Sequence, residues 1–249
     1  MRIEKKKITI IDNLSKGIED SILYGDHINV DLSDFKDVEQ IFKNNKFNAI
    51  LHFAASNVVP ESVENPIKYY MNNTVNTANL INLCLKYNVR KFIFSSTASV
   101  YGEIKSDTVK ETDDLNPKNP YGKSKIMSEK MLQDVNKTNK DFKYIIFRYF
   151  NVAGADLEGR IGQSTPNATH LIKVCAQAAL RKRDAVYIFG DDYDTPDGTG
   201  IRDYIHVEDL ADAHIKALKY LENNDSDIFN CGYGQGYSVK EVIDMMKNV

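Results

Sequence analysis

The sequence predicts an α/β fold, a doubly wound and mostly parallel sheet followed by a smaller lobe. Three observations carry that reading. Short apolar runs rich in β-branched and aromatic residues recur along the chain, as strands covered on both faces require. Longer stretches of helical periodicity separate them. Strand and helix patterns then alternate from Ile8 to Phe147, which is how strand–helix–strand units read in one dimension.

Taken in order, the predicted strands are Ile8-Thr9-Ile10-Ile11, His27 to Val30, Ala49 to Phe53, Phe92-Ile93-Phe94 and Ile145-Ile146-Phe147. The helices between them are Asp34 to Phe42, Pro66 to Lys86 and Tyr121 to Asn139. Past Asn151 the pattern loosens into two polar loops, Asp156 to Thr169 and Asp191 to Gly200, the second acidic with Gly and Pro. A helix is expected at Leu171 to Arg181, a strand at Val186 to Phe189, a helix at Val207 to Tyr220 and a strand near Ile228 to Cys231. Leu210, Ala213, Ala217 and Leu221 recur at helical spacing and mark a core stripe. Ser238 with Glu241 is a capping-box start for a last helix. The expected division is a first domain over 1–151 and a smaller lobe over 152–249, interleaved with it. Neither internal repeats nor a low-complexity linker interrupt the chain.

Composition narrows the function classes. At 249 residues, with 42% hydrophobic and 27% charged residues, the chain is ordinary for a globular protein. A net charge of −3 argues against a nucleic-acid or membrane-surface partner, and Lys5-Lys6-Lys7 is too short to overturn that. Cys84, Cys175 and Cys231 are odd in number and widely spaced; buried free thiols in a reducing cytoplasm fit better than disulfides or a metal site. His27, His52, His206 and His214 lack metal-ligand spacing. No apolar run approaches the ~18 residues of a membrane span. The expected location is the cytoplasm.

In a doubly wound sheet, ligands bind at the carboxyl ends of strands. Asp12-Asn13 closes the first predicted strand, where an acidic side chain accepts from ribose hydroxyls and repels a 2′-phosphate, favouring NAD over NADP. Val30-Asp31-Leu32 closes the second; its carboxylate suits an adenine amino group or the cap of the next helix. Small residues follow His52-Phe53 at Ala54-Ala55 and allow close backbone approach. Ser95-Ser96-Thr97 closes the fourth and Arg148-Tyr149-Phe150-Asn151 the fifth. Tyr121 and Lys125 then lie about one turn apart on one helix face. Lowering a tyrosine from ~10 to about 7 takes roughly 4 kcal/mol, and a nearby ammonium in a partly dry site, helped by the Thr97 hydroxyl, can supply it. Such a Tyr is a proton-transfer group suited to oxidising an alcohol beside a nicotinamide.

Three stretches together resemble the extended short-chain dehydrogenase/reductase superfamily: Phe94 to Gly102, Pro120 to Lys125, and Arg148 to Gly154. Ile188 to Tyr193 and Asp197 to Val207 narrow the resemblance to the UDP-glucose 4-epimerase family, and the similarity runs from about Thr9 to the last residue. The resemblance implies a Rossmann-type NAD domain and interconversion of UDP-glucose and UDP-galactose. Tyr121 would take the proton of the sugar 4-hydroxyl while hydride passes from C4 to the nicotinamide. Lys125 would hold the nicotinamide ribose and depress the Tyr121 pKa, and Thr97 would bridge the sugar hydroxyl and Tyr121. The 4-keto sugar would turn over and be re-reduced on its other face. Asp12, Asn13, Asp31, Leu32, Phe53, Ala54, Ala55, Asn72 and Phe150 match cofactor-contact positions; Asn57 stands where some relatives carry Lys. Asn151, His170, Leu171, Phe189, Arg202 and Tyr204 match positions facing UDP, with Arg202 suited to a diphosphate. A homodimer through the helices at Pro66 to Lys86 and Tyr121 to Asn139 is also implied.

Two features depart from the family pattern. Met1 to Lys7 leads directly into the family's second strand, so the first strand and its Gly-rich pyrophosphate turn are not in the sequence, and the family continues past Val249. The expectation is an epimerase sequence truncated at both ends that holds little NAD tightly. An epimerase fragment and a non-catalytic remnant both stay open. Another NAD-dependent nucleotide-sugar-modifying enzyme is disfavoured, because Ala98-Ser99 replaces the acidic residues that a dehydratase places after the Thr.

Overall fold

The computed structural model describes residues 6–104, 106, 108–165 and 168–248. In chain order its principal elements are β1 (Thr9–Ile11), β2 (Asp26–Ile28), α1 (Phe35–Asn44), β3 (Ala49–His52), α2 (Val59–Glu64) and α3 (Pro66–Tyr69). A π-helical segment, Tyr70–Val75, follows and leads into α4 (Asn76–Lys86), β4 (Lys91–Thr97), α5 (Pro120–Thr138), β5 (Lys143–Tyr149) and β6 (Asn151–Ala153). The remainder is α6 (Leu171–Ala179), β7 (Ile201–His206), α7 (Val207–Asn223), β8 (Asp227–Cys231), β9 (Gly236–Ser238) and α8 (Val239–Lys247).

The chain forms two compact units. The first comprises Met1–Ser15, Ile22–Tyr149 and Asp212–Cys231. It holds a parallel four-stranded sheet in the order β3-β4-β5-β8 and a separate parallel pair, β1-β2. β4 and β5 are interior strands, buried along nearly their whole length. β3 at the edge of that sheet, and β1 of the separate pair, are only half-buried at most positions. α1, α4 and α5 pack Val38, Phe42, Leu80, Cys84 and Leu132 against Phe92, Phe94 and Ile146 of the two interior strands. Burial pushes the Cys84 thiol up to about 12, so it behaves as a small hydrophobe.

The second unit comprises Lys16–Ser21, Phe150–Ala211 and Gly232–Val249. Its sheet runs β6-β7-β9, with β7 parallel to β6 and antiparallel to β9. Ser238 and Glu241 form the expected capping box: Glu241 N donates to Ser238 Oγ at 3.0 Å, and Ser238 N to Glu241 Oε2 at 2.6 Å.

Three differences from the sequence reading have physical causes. Val186 to Phe189, read as a strand, is a loop; Tyr187 and Phe189 are 68% and 87% exposed and no ladder partner pairs with them. The apolar run imitates a strand, but a strand needs a hydrogen-bonded neighbour. The helix expected over Pro66 to Lys86 is continuous but widens through its π-helical segment. The expected division at 151/152, with the later lobe interleaved, differs from the observed units in extent, because β8 pairs with β5 and draws Asp212–Cys231 into the first.

Candidate active site

The site begins with two local signals in the first unit. β4 ends in Ser95-Ser96-Thr97, and α5 starts sharply at Pro120, where Asn119 Oδ1 accepts from Gly122 N at 2.8 Å. Pro at the first helical position and Asn as N-cap are the combination that fixes a helix start. The start places Tyr121 in the first turn and Lys125 one turn on. Lys125 is 3% exposed. Its Nζ donates to the Ser95 carbonyl at 2.7 Å and lies 4.9 Å from the centre of the Phe94 ring. The Thr97 hydroxyl stands beside Tyr121 and favours its ionised form. Thr97, Tyr121 and Lys125 are therefore brought together.

The electrostatics differ from the sequence expectation. Burial holds the Tyr121 hydroxyl above the usual tyrosine range, and the Thr97 hydrogen bond only partly offsets it. Burial also lowers Lys125 to about 7, with the Glu129 carboxylate pulling the other way. An ammonium disfavoured by burial, whose Nζ is turned to the Ser95 carbonyl, does not depress a phenol strongly. The expected depression of Tyr121 by Lys125 is thus corrected for the chain itself.

The π-helical segment contributes residues that sequence reasoning missed. Asn73 Nδ2 donates to the Ser56 carbonyl at 2.9 Å and to Ser124 Oγ at 3.0 Å, while its Oδ1 accepts from Ser56 N at 2.8 Å. One side chain thus ties the loop after β3 to α5. π-helical turns inside helices often occur at functional sites. His52 Nε2 pairs with Thr77 Oγ1 at 2.9 Å, and burial lowers His52 to about 3, so it is neutral near pH 7. Tyr149 Oη lies 2.7 Å from Ser95 Oγ and 2.6 Å from His214 Nε2. Asn73, Tyr149 and His214 have no distinguishing spacing in the sequence; only packing brings them together.

The expected adenosine residues also meet. Asn13 Nδ2 donates to Asp31 Oδ2 at 2.6 Å. Asp31 Oδ1 accepts from Ser33 N at 2.8 Å and Ser33 Oγ at 2.6 Å, which holds its carboxyl below the usual carboxylate range. Asp12 Oδ1 accepts from Leu14 N at 2.7 Å in a tight turn where Leu14 has φ +53°. Leu32 packs on the core. Phe53 is 54% exposed and lies over His214 at 4.8 Å between ring centres. Ala54 and Asn57 are exposed, and Ala55 is half-buried. Asn72 Nδ2 donates to Ser56 Oγ at 3.1 Å. Carboxylates fit the hydroxyl and amino donors of an adenosine, and Lys125 with Thr97 fits a nicotinamide ribose. This donor set fits NAD.

The second unit holds the expected nucleotide-sugar residues. Phe150 is its half-buried first residue after β5. Asn151, in β6, stands in register with Tyr204 of β7, and its Nδ2 donates to the Asp203 carbonyl at 3.1 Å. The Asp203 carboxylate accepts from Tyr233 N at 3.0 Å and Gly234 N at 2.8 Å. A Cβ on Gly232 would lie 2.4 Å from Asp203 Oδ2, so only glycine admits this approach. The guanidinium of Arg202 is exposed and donates from Nη1 to its neighbour's carbonyl, Ile201 O, at 2.7 Å. Burial raises Tyr204 above the usual tyrosine range, and Arg202 opposes it. His170 precedes α6 with Nδ1 2.8 Å from Gln163 Nε2, and Leu171 begins that helix. Phe189 stands apart from these on its exposed loop.

Known proteins are similar to this chain along most of its length. A UDP-glucose 4-epimerase of Azospirillum brasilense is 48% identical over 241 residues, covering 96% of this chain, which spans 69% of that enzyme's length. The UDP-Glc/GlcNAc 4-epimerase from Campylobacter jejuni superposes with a TM-score of 0.83 at 55% identity, over 97% of this chain and 75% of that one. UDP-glucose 4-epimerase from Bifidobacterium longum, solved in complex with NAD+ and UDP, superposes with a TM-score of 0.90 at 36% identity over 97% and 75% of the two chains. The family model described as the NAD dependent epimerase/dehydratase family matches residues 2–232. Parallel sheet, Tyr–Lys pair and a match along most of the sequence lead to one conclusion: this chain belongs to the NAD dependent epimerase/dehydratase family.

Proposed function

We propose that this protein is a UDP-glucose 4-epimerase, interconverting UDP-glucose and UDP-galactose with bound NAD. The observation that carries the reading is the group Thr97, Tyr121 and Lys125 at the end of an interior parallel strand, in a chain of this family. Near the positive nicotinamide of bound NAD+, Tyr121 is favoured as its phenolate, which offsets the burial that raises it. As a phenolate Tyr121 takes the proton of the sugar 4-hydroxyl and later returns it, so the cycle neither gains nor loses a proton. Thr97 bridges the sugar hydroxyl and the phenol. Lys125 holds the nicotinamide ribose hydroxyls. NAD, when bound, supplies a reversible hydride acceptor for C4, which is oxidised and then re-reduced on its other face. Asp12, Asn13, Asp31 and Leu32 hold the adenosine end, and Phe53, Ala54, Ala55, Asn57, Asn72 and Phe150 line the rest of the cofactor. Asn151, His170, Leu171, Phe189 and Tyr204 contact the UDP part of the substrate, and the Arg202 fork grips its diphosphate.

The direct test incubates the purified chain with UDP-galactose and saturating NAD and follows UDP-glucose. Turnover is expected, and Tyr121→Phe should lower it by about 10²–10⁴-fold, the usual worth of a positioned acid–base group. A folded chain that shows no conversion would overturn the reading.

The same reading gives a homodimer in the cytoplasm. Val59, Val63, Ile67, Met71 and Met127 are 36%, 63%, 66%, 55% and 45% exposed on α2, α3, the π-helical segment and α5, an apolar surface of the kind interfaces use. Light scattering should give twice the chain mass for the wild type, and a monomer for Ile67→Glu. Three buried free thiols suit a reducing compartment.

A further inference from the structure

A buried ion pair sits directly behind the Tyr121–Lys125 group. Glu129 lies one helical turn beyond Lys125 on α5. Its carboxylate and the Arg148 guanidinium are each 1% exposed. Arg148 Nη2 donates to Glu129 Oε2 at 2.8 Å and Nε to Oε1 at 3.2 Å. The third donor, Nη1, reaches Tyr101 Oη at 2.8 Å and the Glu111 carbonyl at 3.0 Å. Tyr101 Oη in turn donates to Asn230 Oδ1 at 2.7 Å, and its ring lies 5.0 Å from the guanidinium carbon. Ser96 Oγ donates to Glu129 Oε1 from β4. Ser96 stands between Ser95, whose carbonyl receives Lys125, and Thr97, beside Tyr121.

A buried ion pair is weak evidence for stability, since apolar residues of similar volume often do as well. Its location is what matters here. The groups facing Lys125 are His52 of β3, the Phe94 ring and Ser95 carbonyl of β4, and Glu129 of its own helix, with Tyr121 one turn before it. Arg148 of β5 stands on the far side of Glu129. His52 and Tyr121 are neutral near pH 7. Glu129 is therefore the negative charge of this set.

We propose that Glu129, clamped by Arg148 and Ser96, is a positioning residue for the Tyr121–Lys125 group: it locks α5 onto β4 and β5 and supplies the anion that keeps the buried Lys125 ammonium charged. This deepens the epimerase reading and rests on it. Arg148 holds the carboxylate through two hydrogen bonds, and the Ser96 hydrogen bond fixes its height on the sheet. The pair thus holds both the geometry and the charge of the reacting group without touching substrate.

The test is a ¹³Cε-lysine NMR titration of the full chain, with the Lys125 signal assigned by its loss in Lys125→Met. Glu129→Gln keeps the shape and removes the charge. It should lower the Lys125 midpoint by about one pH unit, a tenfold loss of proton affinity. Glu129→Asp keeps the charge and should leave that midpoint near the wild-type value, even if its Tm falls as far. A folded Glu129→Gln with the wild-type midpoint would overturn the proposal, as would Glu129→Asp moving it equally far. If Glu129→Gln does not fold, the double variant Glu129→Gln/Arg148→Gln leaves no orphan charge and should shift the midpoint in the same direction; no shift there is equally decisive against it. Turnover of UDP-galactose by the wild type is measured separately. A shifted midpoint in a chain without turnover would sink the epimerase reading and leave the Lys125 coupling intact.

Discussion

Arg148 in the first unit and Arg202 in the second are the same residue put to opposite uses. Arg148 is 1% exposed, and each of its donor nitrogens meets a protein oxygen, two of them carboxylate oxygens of Glu129. Arg202 is exposed and spends one donor on an adjacent backbone carbonyl. A guanidinium whose donors are consumed inside the protein is part of the scaffold; one whose fork points outward with capacity left is equipped to bind an anion. The same contrast separates Glu129 from Asp12 and Asp31. Buried and satisfied groups set geometry, and the more exposed ones are those proposed to meet ligands.

The largest effect is expected for Arg148→Ala, which leaves the Glu129 carboxylate buried without its partner. Urea unfolding should show a loss of about 3–5 kcal/mol. A loss under about 1 kcal/mol would mean the pair is less buried in solution than its contacts indicate. Next comes the pH dependence from His52. Burial holds its folded pKa at about 3 against 6.5 for an exposed imidazole, so the unfolded chain binds the extra proton between those values. Its stabilising contribution is full above pH 6.5 and is lost as pH falls toward 3, on the order of 1.4 kcal/mol per unit. His52→Asn should flatten that part of the stability curve. The smallest effect on stability belongs to Arg202→Ala, expected within about 0.5 kcal/mol of wild type. Calorimetry with UDP should nonetheless show affinity weakened by about ten- to a hundredfold, for a charged hydrogen-bonded contact of about 1.5–3 kcal/mol. Should Arg202→Ala unfold like Arg148→Ala, the contrast between the two arginines fails.

Much of the first unit could be read directly. β4 and β5 announce themselves as unbroken apolar runs because both faces are covered, and α5 by Pro120 with the periodic positions after it. Asp12, Asn13 and Asp31 are expected at strand ends, and Asn13 and Asp31 do meet there. Less could be read in the second unit. β6, β7 and β9 are short and half-exposed, and Val186 to Phe189 imitated a strand without a partner. Asn73 and His214 carry no local signal, since a π-helical turn and a contact 65 residues away along the chain, Tyr149 to His214, depend on packing.

Local chemistry, short motifs and periodicity were enough to establish the fold class, the Tyr121–Lys125 spacing and the family resemblance, because each depends on residues close together in sequence. The protonation of that pair was out of their reach. The reading expected Lys125 to depress Tyr121, yet Tyr121 lies above its ordinary value and Lys125 is lowered to about 7. A pKa is set by desolvation and by charges from distant strands, and those exist only once β3, β4, β5 and α5 have packed. Spacing singled out the pair; burial in the folded core, with Thr97 opposing it at Tyr121 and Glu129 at Lys125, decided which way each titrates.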